Sequence, residues 1–119
     1  MPESIMLEKA KDFAVEIVIL CREIKENRRE SVMTKQLIRC GTSIGANIHE
    51  SKYAQSKADF INKMQVALKE CYESEYWLEL LCRTGYLDAE QYNVVRSKCG
   101  NIRRMLISSI NTVKSNMNQ

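Results

Sequence analysis

The sequence predicts an all-α protein, an up-down-up-down antiparallel four-helix bundle forming a single domain over residues 1–119. Three observations predict it. Apolar residues recur at alternating steps of three and four along four separate stretches. Only 4 Gly and 1 Pro occur in 119 residues, too few for an all-β chain, which turns about every 8 to 12 residues. The stretches are joined by a few residues each, so sequence neighbours must run antiparallel. The chain is long enough for one core only, and 45% hydrophobic residues with a formal charge of +3 mark it as folded rather than disordered.

Helix one spans about residues 4–26, because Ala10, Phe13, Ile17, Leu20 and Ile24 share one stripe. Asn27, Arg28, Arg29 and Glu30 offer nothing apolar to bury and read as a connection, with Ser31 placed to cap the second helix. Helix two spans 32–51 and turns Met33, Leu37, Cys40, Ile44 and Ile48 inward. Gly41 and Gly45 inside it each cost about 1 kcal/mol against Ala. Four residues apart, they clear one helix face for another backbone, or else mark a break near Gly41; the sequence leaves both readings open.

Ser56 followed by Asp59 resembles a capping box and opens helix three, residues 57–84. Its stripe is Phe60, Met64, Ala67, Cys71, Ser74, Leu78 and Leu81, and Gly85 is a natural left-handed stop. Asp88 with Gln91 opens helix four, residues 89–114, with Tyr92, Val95, Cys99, Ile102, Leu106 and Val113 inward and the polar residues from Ser115 expected to fray. A mean spacing of three and a half implies left-handed packing at about 20°.

No stretch approaches the ~20 apolar residues that a membrane-spanning helix needs. Five widely spaced cysteines, Cys21, Cys40, Cys71, Cys82 and Cys99, include no CxxC pair and point to a reducing cytoplasm, each thiol serving as a small core side chain.

Toward its C-terminal end helix three carries more apolar surface than one stripe can use. Tyr72, Tyr76, Trp77 and Leu80 lie off the stripe of Cys71, Leu78 and Leu81 and read as an oligomer interface; the alternative is that the rings widen the core or cap its end. Charge is also uneven. Residues up to Glu26 net −2, Asn27–Lys52 net +3, Tyr53–Tyr86 net −1 and Leu87 onward net +3. If helices two and four share an outer face, Arg28, Arg29, Lys35, Arg39, Arg96, Lys98, Arg103 and Arg104 could hold a nucleic-acid backbone, RNA or DNA. Alternatively, these residues pair with neighbouring acids across the bundle or a subunit interface.

Catalytic constellations are missing. Gly41-Thr42-Ser43-Ile44-Gly45 matches the Gly-x-Ser-x-Gly nucleophile elbow letter for letter, but no strand precedes it and the single histidine, His49, follows with no acid between. One histidine cannot supply the two Glu-x-x-His pairs of a di-iron bundle. Neither a phosphate loop nor a dinucleotide fingerprint is present. Glu73 and Glu75 point to different helix faces, and His49 and Glu50 read as polar groups satisfied locally at a helix end. No enzyme, metal or cofactor is expected.

The segment from Gln36 to Ser51 resembles the hallmark of the four-helix-bundle family named for proteins encoded in intervening sequences of bacterial 23S ribosomal RNA genes. Gln36, Leu37, Arg39, Ser43, Ile44, Ala46, Asn47, Ile48 and Glu50 match its pattern, and Phe60, Ala67 to Glu73 and Gly85 to Leu87 add to the likeness. Gly45, His49 and Ser51 replace the usual proline, alanine and glycine. The resemblance implies a bacterial, non-catalytic bundle that assembles into a ring-like homopentamer. A more distant likeness to the accessory protein of diversity-generating retroelements implies nucleic acid or a reverse transcriptase as partners. Within the motif, Ser43, Asn47 and Glu50 are the structural candidates, with Asn47 and Glu50 expected to fix helix two against helix three.

Overall fold

The computed structural model describes the chain from Pro2 to Met117, with side chains from Ser4 onward. Among the described residues four helices make up the fold: α1 (Pro2–Arg28), α2 (Val32–Ser51), α3 (Lys57–Arg83) and α4 (Ala89–Met117). Helix α4 continues through Ser115 to Met117, where fraying was expected, while Asn118 and Gln119 lie outside the described residues. Each helix packs against its sequence neighbours and α1 closes on α4, whereas the backbones of the diagonal pairs α1/α3 and α2/α4 stay apart. The result is a square bundle of 52 × 22 × 21 Å.

Its core is the set of stripes brought together. Phe13, Ile17, Leu37, Ile44, Ile48, Met64, Leu78, Leu81, Ile102 and Leu106 are fully buried. Phe60, Tyr92, Val113 and Met33, expected inward, pack only at the core's margin, and Ile61 takes the buried position beside Phe60.

Helix α2 is continuous through both glycines. A Cβ at Gly41 would lie 3.1 Å from Ile17 Cγ2, and one at Gly45 would lie 3.6 Å from Ala10 Cβ. The missing side chain at Gly41 therefore lets α1 settle against α2 at Ile17, and close packing is the reason for that glycine, whereas a Cβ at Gly45 would make only ordinary contact.

Caps are set by local chemistry, with one departure. Ser56 Oγ accepts from Asp59 N–H at 3.0 Å, and Asp59 in turn accepts from Gln55 N–H at 3.2 Å. Asp88 accepts from Gln91 N–H at 2.7 Å. Gly85, at φ 85°, closes α3 as Tyr86 N–H reaches Leu81 C=O and Gly85 N–H reaches Cys82 C=O, the Schellman pattern. Ser31, expected to cap α2, makes no side-chain cap bond. Glu30 does so instead: its carboxylate accepts from the N–H groups of Val32, Met33 and Thr34 at 2.9 to 3.0 Å. The chain reaches that position because Arg29 turns left-handed at φ 57°, folding Glu30 back over the positive end of α2.

Candidate interaction face on α3 and its basic flanks

On the C-terminal half of α3 the core stripe of Cys71, Ser74, Leu78 and Leu81 faces inward. The opposite side of the same turns carries Tyr72 and Tyr76, which remain 53% and 57% exposed. Trp77 and Leu80 are half-buried beside them. The Tyr76 and Trp77 rings meet edge to face at 5.0 Å. Tyr72 and Tyr76 thus face outward, while Trp77 packs partly buried against the core.

Basic residues of α2 and α4 border that face on its two sides. Because α2 and α4 lie diagonally, their backbones do not come close; α3 stands between them and its acids reach both ways. Glu73 turns toward α2, where it pairs with Arg39 and accepts from Trp77 Nε1 at 3.1 Å. Glu75 turns toward α4, accepting from Arg103 Nε at 2.8 Å with Arg96 Nε 4.0 Å away. The Arg103 guanidinium also lies over the Tyr72 ring at 5.6 Å. Arg39, Arg96 and Arg103 are therefore gathered with the aromatic residues, each paired with an α3 carboxylate.

The other basic candidates fall elsewhere. Lys98 faces α1 and pairs with Glu16 at 2.8 Å. Arg28 sits at the end of the bundle, donating to Gly85 C=O at 3.2 Å and lying over Tyr86 at 5.0 Å. Arg28, Arg29, Lys35 and Arg104 have no carboxylate partner among the described residues. Within the motif, Glu50 bridges α2 to α3 through Lys63 Nζ at 3.1 Å, whereas Asn47 donates to Ser43 C=O at 2.9 Å within its own helix.

Two features of this region escaped sequence reasoning. Glu70 lies beneath the Arg39–Glu73 pair, with Arg39 Nη1 3.6 Å from an Oε2 that is buried and accepts no hydrogen bond. Burial, with the nearby Glu73 charge, pushes its carboxyl above the usual range despite Arg39. Its neighbours could be read only once the register of α2 against α3 was fixed. The second is a thiol layer: Cys40 accepts from Ser74 Oγ at 3.3 Å, and Cys99 Sγ lies 3.5 Å from Cys71 C=O. Burial pushes the Cys21 and Cys40 thiols up to about 12 and about 11, and contact with Cys71 together with burial pushes Cys99 upward as well. Such thiols hold their protons and act as core side chains.

No three His, Cys, Asp or Glu side chains gather as a metal site among the described residues, and no described helix is long and apolar enough to cross a membrane. Residues 3–108 match the family model described as 23S rRNA-intervening sequence protein. Among solved structures, the chain is similar to a protein of unknown function from the S23 ribosomal protein family of Bacteroides thetaiotaomicron VPI-5482. The two share 50% identity over 93% of this chain and 99% of the other, with a TM-score of 0.92. No curated protein matches.

Proposed function

The chain belongs to the 23S rRNA-intervening sequence protein family, and from that premise we propose that it is a non-enzymatic, homo-oligomeric adaptor whose copies meet through the outer face of α3, as a pentamer in a cytoplasmic setting. The observation that carries the reading is the exposure of Tyr72 and Tyr76, at 53% and 57%, beside Trp77. Rings of this size on a helix whose opposite side already fills the core are the kind of surface that a subunit contact buries. The Arg39–Glu73 and Arg103–Glu75 pairs on its flanks supply a polar rim with both signs of charge. Light scattering tests this directly: a mass near five times 13.8 kDa is expected, reduced by Tyr72→Ser with Tyr76→Ser. A monomer at micromolar concentration sinks the reading.

Nucleic-acid binding, RNA or DNA, is the second part of the proposal. It is favoured by Arg28, Arg29, Lys35 and Arg104, which lack carboxylate partners among the described residues, and by the ribosomal family name of the similar Bacteroides protein. The carboxylate pairs of Arg39, Arg96, Lys98 and Arg103 offset part of the positive charge there. Anisotropy of a labelled RNA at about 50 and 200 mM salt should show weakening by orders of magnitude if several phosphates are engaged. Absence of binding at the lower salt leaves assembly through α3 as the whole function.

A further inference from the structure

Three guanidiniums and one carboxylate meet in the groove between α3 and α4. A cleft of about 230 Å³ is lined there by Glu75, Arg96, Ser97, Gly100, Arg103 and Arg104, among others. Gly100 is buried in the middle of α4, and its bare Cα forms part of the wall. A Cβ built on it would lie 3.4 Å from Arg103 Nη2 and 3.4 Å from Arg104 Nη1. Two guanidiniums thus approach one point in space, with Glu75 on the Arg103 side as the one carboxylate beside them, which leaves a local excess of positive charge that an anion would offset.

Each of these groups has a contact of its own within the protein. Arg103 spends its Nε on Glu75 at 2.8 Å and rests over Tyr72, leaving its Nη groups for another acceptor. Arg104 is held through Asn101 of its own helix. Arg96 Nε stands 4.0 Å from the second Glu75 oxygen. With Glu75 ionised the four side chains carry a formal excess of two positive charges.

We propose that this cleft binds a phosphate group, with Arg103 and Arg104 as the direct donors, Arg96 closing over it and Ser97 at its rim. Planar guanidiniums offer paired N–H groups that match phosphate oxygens, and Glu75 orients Arg103 without neutralising the site. The inference deepens the nucleic-acid part of the proposed function by naming where a phosphate would sit. The bound group is either an internal phosphodiester or a terminal phosphate.

The test follows the arginine side-chain N–H resonances of the full chain by NMR during titration with inorganic phosphate, and separately with a 5′-hydroxyl oligoribonucleotide, at low salt. Both titrants should move the Arg103 and Arg104 signals if a phosphodiester is recognised; inorganic phosphate alone should do so if the natural ligand carries a terminal phosphate. Arg104→Gln, which breaks no carboxylate pair, should weaken binding about tenfold. Gly100→Ala should weaken it too while raising thermal stability, since Ala favours the helix but its methyl group occupies the point where the guanidiniums converge. Unmoved signals with phosphate overturn the inference, as does unchanged affinity in Arg104→Gln. An oligonucleotide that binds while neither it nor inorganic phosphate moves these signals also overturns it and leaves nucleic-acid binding to another surface.

Discussion

Gly41 of α2 faces Ile17 of α1 so closely that a methyl group added at Gly41 would stand 3.1 Å from Ile17 Cγ2. Gly45, one turn later, has only ordinary contacts, the nearest being Ala10 Cβ at 3.6 Å. The two glycines should therefore respond oppositely to alanine. Gly45→Ala gains helix propensity and should raise stability by up to about 1 kcal/mol. Gly41→Ala gains the same propensity but presses on a β-branched side chain in a filled core, where overpacking costs about 1 to 3 kcal/mol, so it should lower stability. In an Ile17→Ala background the Gly41→Ala penalty should vanish. Urea midpoints of the four variants check this, and equal effects at the two glycines would refute the close-packing account.

The boundary between what the chain discloses in one dimension and what it does not is a physical one. Features set by residues three or four apart were legible: the stripes of α1 and α3, the Ser56 and Asp88 caps, the Gly85 stop. Tyr72 and Tyr76 were legible as surplus because the core side of α3 was already occupied by Cys71 and Leu78. The cap of α2 was not, because Glu30 reaches the helix only through the left-handed turn at Arg29, which no preference of arginine foretells. Nor were the partners of Arg39 and Arg103, since these depend on the register of three helices at once. Glu73 and Glu75 were correctly assigned to different faces, but the consequence, that α3 binds one basic helix with each, required the tertiary arrangement.

Glu30 makes stability depend on acid. Burial alone would raise its carboxyl, but the N–H groups of Met33, Thr34 and Val32 and the Thr34 hydroxyl outweigh it and hold it below the usual carboxylate range. A depressed carboxyl stabilises the fold above its unfolded value, about 4.3, and loses that contribution as pH falls through the lower folded value. Glu30→Ala should cost about 1 to 2 kcal/mol at neutral pH and much less at the acid end of the range. Melting temperature against pH for both proteins checks it; parallel curves would show that the carboxylate is not the cap that matters.

Glu70 should show the opposite sign. Its folded carboxyl is raised by burial and by Glu73, so its stabilising contribution is present below the unfolded value and is lost as pH rises through the folded one. Glu70→Gln keeps the shape, removes a buried charge and should stabilise at pH 7 while changing little near pH 4. A loss of stability at neutral pH would mean that the 3.6 Å contact with Arg39 outweighs the cost of burying Glu70.

The five cysteines should differ sharply in reactivity. Cys21, Cys40, Cys71 and Cys99 are buried, and Cys82 is the only partly exposed one. Iodoacetamide at pH 8 should modify Cys82 first and the other four only after unfolding, since the thiolate is the nucleophile and burial disfavours it. Mass spectrometry of the intact protein checks this; rapid modification at a second site would reveal local opening of the core.

The Arg103–Glu75 pair should be worth more than the Arg39–Glu73 pair. Arg103 and Glu75 side chains are 24% and 15% exposed, against 50% and 31% for Arg39 and Glu73. Removing one partner of the less exposed pair leaves a half-buried carboxylate with only the more distant Arg96, a loss of about 1 to 3 kcal/mol, whereas an exposed pair is worth about 1 kcal/mol or less. Arg103→Gln should therefore destabilise more than Arg39→Gln when both are made in a Glu70→Gln background, which removes the second carboxylate that Arg39 faces. Adding Glu75→Gln to Arg103→Gln should recover part of the loss, because the stranded charge is gone. A double-mutant cycle by chemical denaturation measures both couplings, and a larger coupling at Arg39 would mean that solvent reaches Glu75 more freely than its burial between α3 and α4 implies.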